Sequence, residues 1–149
     1  MKSIFNEADS QEFISRIDKL SPDAQPLWGK MTAAQMLNHS QLLLKIILGD
    51  LKLERVFLGL LFGKIAKKDI LKDEPLKRNL PTFKKAKVTG TPDFEEEKAN
   101  LKKLLQRLQK DGYVGSIKAS HPFFGHLTPD EWDKINVKHL DHHLMQFGV

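Results

Sequence analysis

Apolar positions recur at helical spacing along nearly the whole chain, and no stretch alternates long enough to suggest a sheet. Phe13, Ile14, Ile17 and Leu20 share one face of a first helix, from about Ser10 to Leu20, which Ser21-Pro22 ends. Pro22 to Lys30, with two prolines and a glycine, reads as a connector with Leu27 and Trp28 tucked against the core. Thr32-Ala33-Ala34-Gln35 is a capping-box pattern, in which hydroxyl and amide satisfy each other's backbone donors. It opens a second helix that runs to Leu48 and stops at Gly49. A third, from about Leu53 to Leu71, is apolar on most sides, which predicts central burial.

Asp73 to Gly90 contains two prolines and much charge, and reads as a long loop with room for a short strand over Ala86 to Thr89. A fourth helix begins near Pro92 or Asp93, where Asp93, Glu95, Glu96 and Glu97 offset the helix dipole, and ends at Lys110-Asp111-Gly112. The last has the clearest start: Thr128 as N-cap, Pro129 at the first helical position and Glu131 as capping-box partner. It should reach Phe147 and stop at Gly148. The pattern predicts an all-α fold, one helical bundle domain over residues 1–149.

Composition narrows the chemistry. The chain contains no cysteine, which excludes disulfides, thiolate metal sites and a cysteine nucleophile. The amino terminus, MKSIFNEADSQEF, lacks the apolar segment of a secretory signal. The longest apolar run, Val56 to Phe62, is far shorter than the roughly 20 residues that span a bilayer. A cytoplasmic protein without membrane attachment is expected. The net charge of +5 is concentrated between Lys64 and Lys87, where nine basic residues meet three acids. A solvated helix end and lysine-rich loop explain that run. Only Phe83 is interleaved with the lysines, so nucleic acid is a poor candidate partner.

Three of the six histidines, His139, His142 and His143, fall within five residues on the last helix. At about 100° per residue, His139 and His143 lie either side of the direction set by Trp132, flanked by Ile135, Leu140 and Phe147. His142 sits at the edge of that face. His39, with Gln35 beside it, occupies the centre of an otherwise apolar stripe of Met36, Leu42, Leu43 and Ile46, with Lys45 and Gln41 on the opposite side. A polar ring there needs a partner. Imidazoles four apart on one face can grip a single divalent ion, and a third from another helix would leave one position open, as in catalytic metal sites. Gln35 and Gln146, each one turn from a candidate ligand, are candidates to orient an imidazole. The capping box already accounts for Gln35. His121 and His126 bracket Pro122-Phe123-Phe124-Gly125, either at the pocket mouth or in a loop that positions the last helix, and Trp132 is core or pocket wall.

At these residues the chain resembles the DinB-like superfamily. The resemblance rests on one histidine in an amphipathic helix (Trp28 to Thr32, then Met36-Leu37-Asn38-His39) and on a tail that reads HPFFGHLTPDEW and then KHLDHHLMQFG. That tail is similar to a branch marked by HPxFGxLTxxEW and HxxHHxxQFG. Leu51 to Gly112 matches only in helical character. The resemblance implies an antiparallel four-helix bundle with an additional short N-terminal helix or connector, and a metal ion held by His39, His139 and His143. Zinc and nickel lead the candidates. Relatives in that superfamily use the metal to activate a low-molecular-weight thiol, which implies a transferase or hydrolase acting on a small electrophile. The competing reading is a non-catalytic binding or stress-related module whose metal is structural or absent. A small-molecule ligand and a homodimer, the latter through apolar area on the third helix, complete the expectations.

Overall fold

Helix α2 (Ala33–Leu48) is held at its start by the predicted capping box. Thr32 Oγ1 accepts from the Gln35 N–H at 3.2 Å, and Gln35 Oε1 accepts from the Thr32 N–H at 3.1 Å. Gly49, at φ 78°, ends it in the left-handed conformation that suits glycine. Twelve of its sixteen residues are buried, so α2 is the central element of the fold. Gln41, expected on the solvent side, is fully buried. Its Nε2 donates to the Glu97 carboxylate at 2.6 Å, and Asn38 Nδ2 donates to the other carboxylate oxygen at 2.8 Å.

The computed structural model describes residues 2–80, 86–116 and 120–149. Besides α2 it contains α1 (Glu7–Asp18), α3 (Phe57–Ile70), α4 (Phe94–Ser116) and α5 (Pro129–Gln146). Gly112, at φ 65° and ψ −175°, breaks α4 where Lys110-Asp111-Gly112 predicts its end. No strand forms over Ala86 to Thr89; among the described residues the β pairing is a single bridge between His121 and Gly125. Phe83, Lys84 and Lys85 of the basic run lie outside the described residues.

Side-chain ties give the direction of each helix. Lys98, early in α4, donates to the carbonyls of Asp18 and Leu20 at the end of α1, so these two run antiparallel. Asn38–Glu97 and Asp50–Arg107 align α2 with α4. Ile4–Asp133 and Arg16–Asp141 align α1 with α5. The Leu27 N–H to the Gln146 carbonyl, with His39 beside His139, sets α2 against α5. The four-helix bundle is therefore α1, α2, α4 and α5, directed up, down, down and up. Phe13, Ile17, Leu37, Leu44, Leu101, Leu105, Trp132 and Leu144 fill its interior.

The supernumerary helix is α3, and the central burial expected of it does not occur. It packs extensively against none of the other helices. Its buried residues are Gly59 and Gly63 alone. A side chain at Gly59 would come within 2.5 Å of the Phe123 carbonyl oxygen, and one at Gly63 would collide with the same atom. The glycines let α3 lie directly on the backbone of the loop that leads into α5. Val56 N–H to the Pro122 carbonyl (3.0 Å) and Lys67 to Glu131 (2.6 Å) fasten its two ends. Leu27 is likewise 68% exposed rather than tucked in; the connector is held through its backbone.

Helix α5 carries two of the candidate ligands, and its start is built as predicted. Thr128 Oγ1 accepts from the Glu131 N–H, and Glu131 Oε2 accepts from the Thr128 N–H. Replacing Thr128 with alanine removes half of this reciprocal pair. It should cost about 1 kcal/mol, a fall of roughly 2–4 °C in Tm measured by circular dichroism. An unchanged Tm would mean that Pro129 and the loop contacts fix the helix start by themselves.

Candidate metal centre

His39 is one turn into the buried stripe of α2, and the ring is 8% exposed. Its Nδ1 lies 2.9 Å from the carbonyl oxygen of Ala86. A carbonyl can only accept, so Nδ1 carries the proton and Nε2 presents its lone pair on the far side of the ring. Burial holds this imidazole below its ordinary pKa, against the opposing pull of the Ala86 carbonyl. It is therefore neutral at neutral pH.

His143 on α5 repeats the arrangement. Its Nδ1 donates to Gln146 Oε1 at 2.9 Å, which again leaves Nε2 as the free lone pair. The amide is oriented in turn by Gln146 Nε2, which donates to the Trp28 carbonyl at 2.7 Å. Gly29 makes room for it: a side chain there would lie 2.6 Å from Gln146 Nε2, and the backbone at φ 82° favours glycine independently. Burial, reinforced by His39, lowers the His143 pKa to about 3. The connector and α5 thus cooperate to aim one ring.

His139, one turn before His143, completes the group. Its Nε2 lies 3.1 Å from His39 Nε2, and its ring centroid lies 4.6 Å from that of His143 and 5.0 Å from that of His39. Burial and then the adjacent His143 and His39 hold its pKa well below the ordinary value. One nitrogen from each of the three rings lies within 4.8 Å of the other two. A proton on one of the paired nitrogens can hold the 3.1 Å separation; so can a cation between them. Ligands at 2.0–2.1 Å in a tetrahedral site stand about 3.3–3.4 Å apart, close to the His39–His139 separation and within the 4.8 Å that bounds the whole group.

The remaining candidates separate cleanly. Gln146 touches the group directly, through His143. Gln35 does not: its Oε1 closes the capping box and its Nε2 donates to the Gly90 carbonyl at 2.9 Å, so both ends are occupied elsewhere. His142 is not a member of the group, but its ring packs edge-on between Trp28, which also carries the Arg78 guanidinium 4.3 Å from its ring centre, and the His143 ring at 5.2 Å. His121 is a loop residue. Its Nδ1 accepts from the backbone N–H groups of Phe123 and Phe124, both at 3.1 Å, and its ring packs on Phe124 and Trp132. Trp132 is a fully buried core residue. The Ala86 carbonyl, which fixes the tautomer of His39, had no counterpart among the predicted residues; a backbone oxygen leaves no signature in a sequence. Ala86 and His39 also line a cavity of about 480 Å³ together with Asn38, Leu42 and Thr89.

A family described as a protein of unknown function (DUF1569) matches residues 5–148. No curated protein and no solved structure matches the chain.

Proposed function

Since the chain belongs to the DUF1569 family, whose description assigns no activity, we propose from the site itself that it is a metal-dependent protein of the DinB-like kind. In this reading His39, His139 and His143 hold one divalent cation through Nε2, zinc or nickel by preference for imidazole donors. The observation that carries it is the pair of Nδ1 anchors. Ala86 and Gln146 each accept the Nδ1 proton of a buried histidine, which leaves two Nε2 lone pairs free in a group whose three ring nitrogens lie within 4.8 Å of one another. Outer partners of this kind are the usual companions of ligating histidines.

Among the described residues no carboxylate joins the three rings, so the donor set is neutral. A cation bound there keeps its full charge and lowers the pKa of a water or small thiol at the fourth position, which is the chemistry the site would supply. A neutral donor set favours an anionic fourth ligand, in keeping with the thiol-dependent transfer to a small electrophile that the DinB-like resemblance implies. Burial keeps the rings neutral, and Ala86 and Gln146 keep two of them oriented, while the substrate exchanges.

The test begins with untagged protein stripped by chelator and titrated calorimetrically with zinc and with nickel. One equivalent is expected to bind, with a rise in Tm. Transfer of a small thiol to a generic electrophile is then assayed with the loaded protein. Uptake with no turnover for any thiol or water would favour a structural staple joining α2 to α5. No uptake of either metal would end the proposal.

A further inference from the structure

We infer that the cavity beside His39 receives the body of the substrate, and that this substrate is a small thiol carrying amide groups. The inference rests on the metal-dependent reading above, to which it adds the chemical class of the ligand. The cavity has a volume of about 480 Å³. That is far more than the roughly 30 Å³ share of one water, and inside the range of about 300–1,000 Å³ typical of small-molecule sites. Two of its wall residues already belong to the candidate centre. His39 is a member of the three-imidazole group, and Ala86 is the residue whose carbonyl accepts the His39 Nδ1 proton. A sulfur bound to a cation among the three rings lies beside His39, so the rest of its molecule has this cavity within reach.

Free main chain defines what the cavity recognises. Lys87, Val88 and Thr89 line it, and among the described residues no hydrogen bond engages their backbone N–H or C=O groups. The segment is tied to α2 on both sides of these three residues. The Ala86 carbonyl faces His39 Nδ1 and the Gly90 carbonyl accepts from Gln35 Nε2, each at 2.9 Å. Its sequence suits a strand, yet no neighbouring strand pairs with it. A main-chain N–H and C=O held beside a cavity are what another peptide unit pairs with, as in strand addition. On the α2 side Asn38 offers an amide of its own. Its Nδ2 donates to Glu97 at 2.8 Å, which fixes the group, and its Oδ1 has no partner among the described residues. Leu42 supplies apolar wall, and Lys87 is the single charged residue on the described lining. Neutral hydrogen bonding therefore sets the preference, and ion pairing does not.

Two measurements test this, one of which needs no metal. N-acetylalanine methylamide, which has two peptide units and no thiol, is titrated into the chelator-stripped protein and followed by proton–nitrogen NMR. The Val88 and Thr89 N–H resonances are expected to shift, and Leu42→Trp, which narrows the cavity, should abolish the response. In nickel-loaded protein, thiolate-to-nickel absorption should show N-acetylcysteine methylamide binding at least about 10-fold more tightly than mercaptopropionate or thioglucose. The first of these comparison thiols has charge without amides, the second hydroxyls without amides. Val88→Pro removes an N–H that has no partner to lose, and should cut the preference several-fold with nickel uptake unchanged. No shift at Val88 or Thr89 would overturn the inference. Equal affinity for the three thiols would also overturn it, and tighter binding of mercaptopropionate or thioglucose would put charge or hydroxyl recognition in its place. A normal amide response in a protein that takes up no nickel would end the metal-dependent reading and leave the amide-binding cavity standing.

Discussion

Alanine at His39, His139 or His143 should weaken zinc and nickel binding by at least about 100-fold, since each removes one of three protein donors and outer-partner losses alone cost 10–100-fold. Ligand-linked stability gives a second readout. Metal at about 1,000 times its Kd stabilises the folded state by about 4 kcal/mol, or roughly 8–16 °C in Tm for a chain of this size. Each alanine variant should lose most of that shift. Gln146→Ala should fall between the parent and those variants, because it frees the His143 ring without removing it. Gly29→Ala should resemble it, since the new side chain would meet the Gln146 amide at 2.6 Å. His142→Ala should bind nearly as the parent does, because that ring touches Trp28 and His143 without offering a nitrogen to the group, and Gln146 still orients His143. Equal affinity across the His39, His139 and His143 variants would show that the three rings are a packing cluster and nothing more.

The separation of His139 and His143 from His142 was readable without coordinates because it depends on helical period alone. Three residues spaced one, three and four apart cannot all share a direction, and the apolar neighbours show which pair faces in. The capping boxes of α2 and α5 were legible for a similar reason: their donors and acceptors are three residues apart, and tertiary packing does not enter. Packing between elements was not legible. A helix rich in leucine and phenylalanine reads as central, yet α2 takes the centre and α3 turns its large side chains outward. What decides the orientation of α3 is Gly59 and Gly63, a pair four apart whose lack of side chains matters only once the Phe123 backbone is known to lie against them. Gln35 shows the converse. Its local role consumed it, as the capping pattern indicated, and the Gly90 carbonyl took what remained. The anchor of His39 is 47 residues away in a loop, and no side-chain pattern could have pointed to it.

Acid should unfold the protein partly through His121, and His121→Asn should blunt that response. The ring is 4% exposed, and burial, assisted by the Arg55 guanidinium, lowers its pKa from the ordinary 6.5 to about 3. Its Nδ1 accepts two backbone N–H groups. A proton at that nitrogen would oppose both donors and open the loop on which α3 rests. Because the folded pKa is depressed, the unfolded chain binds more protons throughout the interval from about 6.5 down to about 3. The contribution is complete above 6.5 and declines as the pH falls, by roughly 1.4 kcal/mol per unit. Asparagine can present an oxygen near the position of Nδ1 and does not titrate. From urea unfolding at pH 6.5 and 4.5, the parent should lose about 2–3 kcal/mol more than His121→Asn. The buried histidines of the candidate metal centre add their own acid sensitivity to both proteins, so the difference between the two profiles isolates residue 121. Parallel profiles would mean that the loop tolerates the proton, and that the two backbone donors turn to solvent without releasing α3.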